Sequence, residues 1–82
     1  RQGVVVDAAS GAAVRDALVL QIVARDTTRS LSDADGRFTW TTAEAGELVI
    51  RRLGYAPVRR ATRDLPTDGP VRVSLTPLAL QL

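Results

Sequence analysis

The sequence contains no histidine, cysteine, methionine, lysine or asparagine, and all 11 of its basic residues are arginine. Without His or Cys the usual zinc ligand sets, a thiol nucleophile, a disulfide framework and a histidine-based triad are excluded. Lysine's absence removes Schiff-base chemistry and lysine isopeptide crosslinks, and asparagine's absence removes the N-glycosylation sequon. These gaps argue against an enzyme, and no cofactor is expected. Aromatic residues are scarce, one each of Phe, Trp and Tyr, too few for the stacked platform that single-stranded nucleic acid requires. Net charge is only +2 because 9 carboxylates nearly balance the arginines, so a nucleic-acid partner is not expected. No apolar run approaches the roughly 18 residues that cross a bilayer, and the chain is expected not to span a membrane. Heavy use of Ala, Arg, Val and Asp resembles a GC-rich coding bias, which accounts for arginine without selection for guanidinium chemistry. A chain opening on Arg1 reads as a processed product or a piece of something longer.

What is present is the pattern of short strands with turn signals between them. In 82 residues there is room for one domain with a thin core. Val4, Val5 and Val6 begin a first strand, closed by Asp7-Ala8-Ala9-Ser10-Gly11, whose Asp and Ser can bond their own backbone. Residues 17–24 form a second strand and residues 27–32 a more polar third, which ends at the turn Asp33-Ala34-Asp35-Gly36. Phe38 and Trp40 then share a core-directed face. Residues 48–53, 56–61 and 71–76 complete seven strands, enough for two packed sheets. The second strand is apolar on both sides: Ala17, Val19 and Val23 lie with Gln21, and Leu18, Leu20 and Ile22 lie opposite. Either a bulge shifts its register or both faces are covered, the second by a partner.

Taken together, Gly3-x-Val5-x-Asp7-x-x-Ser10-Gly11-x-x-Val14-x-x-Ala17-x-Val19, Ser32-Asp33-x-x-Gly36-x-Phe38, Leu53-Gly54-Tyr55 and Val71-x-Val73-x-Leu75 resemble the carboxypeptidase regulatory-like domain. The resemblance covers the chain up to about Thr76. It departs at Asp16, where the family usually has Gly, and at Ala13, where Pro is frequent. It implies a seven-stranded antiparallel transthyretin-like (Greek-key) β-sandwich over residues 1–76, with residues 77–82 as an extra C-terminal strand, docking segment or linker. It also implies an extracytoplasmic setting (secreted, cell-surface or periplasmic) and work as a spacer or contact surface. Such domains stand beside metallocarboxypeptidase catalytic domains and at the N-terminus of TonB-dependent outer-membrane receptors. Related hydroxyisourate hydrolases use histidines and Cna B-type stalk domains use a lysine, and this chain has neither.

Three features stand out as candidate sites. Asp33 and Asp35 precede Gly36 as in calcium loops, but the third acid and the closing bidentate Glu are missing, so the pair reads as turn chemistry. Arg51, Arg52, Arg59, Arg60 and Arg63 crowd two consecutive strands. They either pair with Glu44, Glu47, Asp64 or Asp68, or form an anion-binding face for acidic glycans, lipopolysaccharide phosphates or a partner's carboxylates. After Pro77, Leu78, Leu80 and Leu82 alternate with Ala79 and Gln81 as an eighth strand would. This tail is a truncated linker, a strand that folds back on its own domain, or a donor strand that adds to a neighbouring copy's sheet edge. The reading that leads is a homo-oligomeric, fibre- or array-forming structural module that uses Leu78, Leu80 and Leu82 together with Leu18, Leu20 and Ile22. An N-terminal accessory domain of a TonB-dependent receptor or a larger envelope protein, or a carbohydrate-binding module, is the alternative.

Overall fold

The computed structural model describes residues 1–41, 46–66 and 69–78. Seven strands run in chain order: β1 (Gln2–Asp7), β2 (Leu18–Val23), β3 (Asp26–Leu31), β4 (Arg37–Thr39), β5 (Glu47–Arg51), β6 (Val58–Ala61) and β7 (Val71–Leu75). A single 3-10 turn (Thr62–Asp64) follows β6. The strands form a three-stranded sheet in the order β4-β1-β7 and a four-stranded sheet in the order β3-β2-β5-β6. Among the described residues no helix is long and apolar enough to cross a membrane.

Alternation dictates what each sheet buries. Val71, Val73 and Leu75 of β7 point inward while Arg72 and Ser74 are exposed. Together with Val5, Val14, Ala17, Val19, Phe38, Trp40, Leu48, Ile50 and Leu65 they make one core. Both Phe38 and Trp40 are buried, as their alternation with Arg37, Thr39 and Thr41 requires. Phe38 faces Gly3 in register, and a Cβ at Gly3 would fall 2.2 Å from the Phe38 ring. Glycine there gives the ring its seat.

Two expectations are corrected. The sandwich is not purely antiparallel, because β1 and β7 pair in parallel from Gly3↔Val71 to Asp7↔Leu75. Nor does β2 carry a bulge. It pairs residue for residue with β3 over its whole length and with β5 from Leu18↔Arg51 to Ile22↔Glu47. Gln21 is tolerated on the core face because the Thr41 backbone satisfies its amide: Thr41 N donates to Oε1 (3.0 Å), and Nε2 donates to the Thr41 carbonyl. Leu18, Leu20 and Ile22 form the outer face and are half-buried.

Side chain to backbone clips fix the loops. The Ser32 hydroxyl is buried, accepts from Ala17 N (2.9 Å) and donates to the Val14 carbonyl (2.7 Å), joining the β1–β2 and β3–β4 connections. Asp16 takes φ 60°, a left-handed conformation that glycine adopts most freely and that aspartate tolerates. Asp33 Oδ1 accepts from Asp35 N and Arg37 N, both at 2.9 Å, so this carboxylate shapes the turn.

Candidate interaction surface

The register of the four-stranded sheet assembles a surface that spacing alone does not reveal. On its outer face Leu31, Leu18 and Arg51 form one cross-strand row. Arg29, Leu20, Val49 and Arg59 form the next, and Thr27, Ile22, Glu47 and Ala61 the third. Neighbours within a row lie about 5 Å apart at Cβ, so aliphatic and guanidinium groups are interleaved. Arg59 Nη1 bonds Glu47 Oε1 at 2.9 Å. Arg29 and Arg51 have no ion-pair partner among the described residues.

At one end of this face the aliphatic surface continues onto the β5–β6 turn. An open depression of about 460 Å³ is lined by Leu18, Leu53 and Leu78 together with the charged Asp16, Arg51 and Arg52, among others. The large hydrophobic residues that are exposed among those described are Leu31 (60%), Leu53 (91%) and Leu78 (58%). Leu53 and Leu78 line the depression, and Leu31 is the cross-strand partner of Leu18, another of its lining residues. Scattered exposed leucines need no explanation, whereas these gather toward one end of the sheet.

The start of the tail shares this end. Ala56 N donates to the Thr76 carbonyl (2.9 Å) and Leu78 N to the Gly54 carbonyl (2.8 Å), with Tyr55 and Pro77 bridged antiparallel. Residues 76–78 are therefore tied to their own domain in strand-like geometry. Leu80 and Leu82 lie outside the described residues.

Below the depression, Tyr55 Oη donates to Asp7 Oδ2 (2.8 Å), while Asp7 Oδ1 accepts from Ala9 N and Ser10 N. The Tyr55 bond, followed by the backbone donors, holds the Asp7 carboxyl below its ordinary range. The same bond pushes the Tyr55 phenol up.

Of the five arginines flagged in the sequence, only Arg51 and Arg59 share the outer face. Arg60 points to the opposite face, its Nη1 donating to the Arg59 carbonyl (3.0 Å). Arg52 leaves the strand and donates Nε to the Arg15 carbonyl (3.0 Å), and Arg63 lies in the 3-10 turn. The proposed pairing with Glu47 is present, while Glu44 and Asp68 are outside the described residues. Sequence reading missed Leu31 and Leu53. Leu31 matters only through its register with Leu18, and Leu53, expected to end a strand over residues 48–53, lies instead in the turn after β5, which stops at Arg51. Among the described residues no group of three acidic side chains is placed to hold a cation. No family model matches the chain, and no curated protein matches it.

Proposed function

We propose that this chain is a non-enzymatic, extracytoplasmic structural and interaction module of the carboxypeptidase regulatory-like, transthyretin-like kind. It assembles through edge strands into a fibre or array, and its end surface of Leu18, Leu31, Leu53 and Leu78 is the contact. The observation that carries this reading is the convergence of the exposed leucines beside a tail already in strand-like pairing at Pro77 and Leu78. A tail that alternates leucines up to Leu82 has the pattern of a donor strand, and head-to-tail addition whose rotation does not close a ring builds a filament.

Several residues of the quoted pattern carry structural work, which is in keeping with this reading. Gly3 seats Phe38, Ser32 clips two loops, Asp33 builds its turn and Asp7 receives Tyr55. The non-enzymatic part rests on the side chains available: the sequence has no histidine, cysteine or lysine to serve as general base, thiol nucleophile or Schiff-base amine. The extracytoplasmic setting follows from the resemblance.

One observation favours the alternative, an N-terminal accessory domain of a TonB-dependent receptor. Because β1 and β7 are parallel neighbours, the chain reaches the sandwich at one end and leaves it at the other, as a module set in line does. Light scattering with negative-stain microscopy separates the two readings, comparing the 82-residue chain with one ending at Thr76 at matched concentration. Long particles from the full chain and monomers, below the full chain's 8.8 kDa, from the shorter one support assembly through the tail. If both are monomers, self-assembly is wrong and the accessory-domain reading leads.

A further inference from the structure

We infer that the β1–β7 pair is a mechanical clamp, and that the domain transmits tension along its N-to-C axis without unfolding. The use of such a clamp rests on the proposed in-line structural role, but the clamp itself is a property of the isolated chain.

The geometry starts from the parallel register of five residue pairs, Gly3↔Val71 through Asp7↔Leu75. Tension on the start of β1 and the end of β7 pulls the two strands past each other along their length. The bonds of a parallel ladder are evenly spaced, so they share that force and must fail together. Opening the same ladder from one end breaks them one at a time.

Three further features make this seam the one that matters. On its core side the ladder is covered by Val5, Val71, Val73 and Leu75, all buried, so water cannot readily replace a bond as it stretches. Strand β1 is held from its other side as well. It pairs with β4 from Gln2↔Thr39 to Val4↔Arg37, Val5 N donates to the Gly36 carbonyl (2.7 Å), and Val14 N donates to the Val5 carbonyl (2.9 Å). Strand β7 lies at the edge of its sheet with β1 as its only strand neighbour among the described residues. Beyond the ladder, Ala8 N donates to the Leu75 carbonyl (2.8 Å), extending the shear seam by one bond. The pairing of residues 76–78 with the β5–β6 turn peels away first and leaves the clamp intact.

The test uses single-molecule force spectroscopy on the full chain. Having no cysteine, it accepts thiol handles at two engineered positions. Handles at Arg1→Cys and Thr76→Cys load β1 and β7 in shear. Handles at Arg1→Cys and Gly69→Cys load the same pair from one end, because Arg1, Gln2, Gly69 and Pro70 border a single surface depression. A Cβ at Gly69 meets nothing within 4 Å. The expected result is a rupture force several-fold higher in shear than in the peeling geometry; equal forces overturn the clamp. A second comparison separates mechanical from thermodynamic strength, since forced unfolding follows the unfolding barrier and not equilibrium stability. Val73→Ala, in the seam, is expected to lower the shear force, whereas Ile50→Val in the other sheet leaves it unchanged while lowering the urea midpoint. If force simply tracks urea stability for both variants, the inference is wrong. Force is read on single chains, so failure of the clamp and failure of tail-dependent assembly are separate outcomes.

Discussion

Gly36 and Gly11 both take positive φ, at 75° and 76°, yet only one of them is crowded. A Cβ at Gly36 would lie 2.4 Å from the Val5 carbonyl oxygen, whereas one at Gly11 would meet nothing within 4 Å. Gly11→Ala therefore incurs only the conformational penalty, about 1–2 kcal/mol, while Gly36→Ala adds a backbone clash. It is expected to cost more than twice as much, with loss of the Val5 N to Gly36 contact. Urea denaturation of the two variants checks this; equal losses would show that the chain relaxes around Gly36. Asp16 shows the limit of reading single residues from a pattern. Glycine at that place signals a left-handed turn, and aspartate carries the same φ without announcing it, because its short polar side chain tolerates that region.

At the scale of elements, β2 is where pattern and structure part. With Ala17, Val19 and Val23 on one face and Leu18, Leu20 and Ile22 on the other, both sides read as apolar, and a bulge or a second covered face would account for it. The structure keeps the pairing unbroken and brings the backbone of Thr41, 20 residues away, to the Gln21 amide. Gln21→Leu is expected to destabilise by about 1–3 kcal/mol, since it leaves Thr41 N and the Thr41 carbonyl without their partner in a part-buried setting. Thermal unfolding tests this, and an unchanged or higher Tm would mean that the segment after Trp40 re-pairs with water at no cost. Seven strands and two sheets were legible because turn residues and alternation are local signals. Parallel pairing of β1 with β7 was not, because register between distant strands leaves no local mark. The candidate surface was half legible for the same reason. Leu18, Leu20, Ile22 and Leu78 stand out in the sequence, whereas Leu31 and Leu53 join them only through pairing and turn geometry. The arginine group showed the opposite error, since residues adjacent in sequence were divided between the two faces of a strand.

For the molecule as a whole, the Asp7–Tyr55 bond is a polar tie between the two sheets, joining the last residue of β1 to the turn after β5. The folded state holds the Asp7 carboxyl below its ordinary value of 3.8, mainly through the Tyr55 hydroxyl. A depressed carboxyl contributes stability that is complete above that ordinary value and declines as pH falls through it toward the folded value. Tyr55→Phe removes the leading cause, so its urea midpoint is expected to fall less between pH 5 and pH 2 than that of the parent chain. Parallel decline of the two proteins would show that other carboxylates govern acid unfolding. The pairing of the first strand with the last has a consequence for biosynthesis too. A ribosome delivers β1 first, and β1 has no neighbour on its β7 side until residues 71–75 have been made and released. The three-stranded sheet is therefore completed only once residues 71–75 have emerged, so the core that it shares with the four-stranded sheet is the last part of the domain to close.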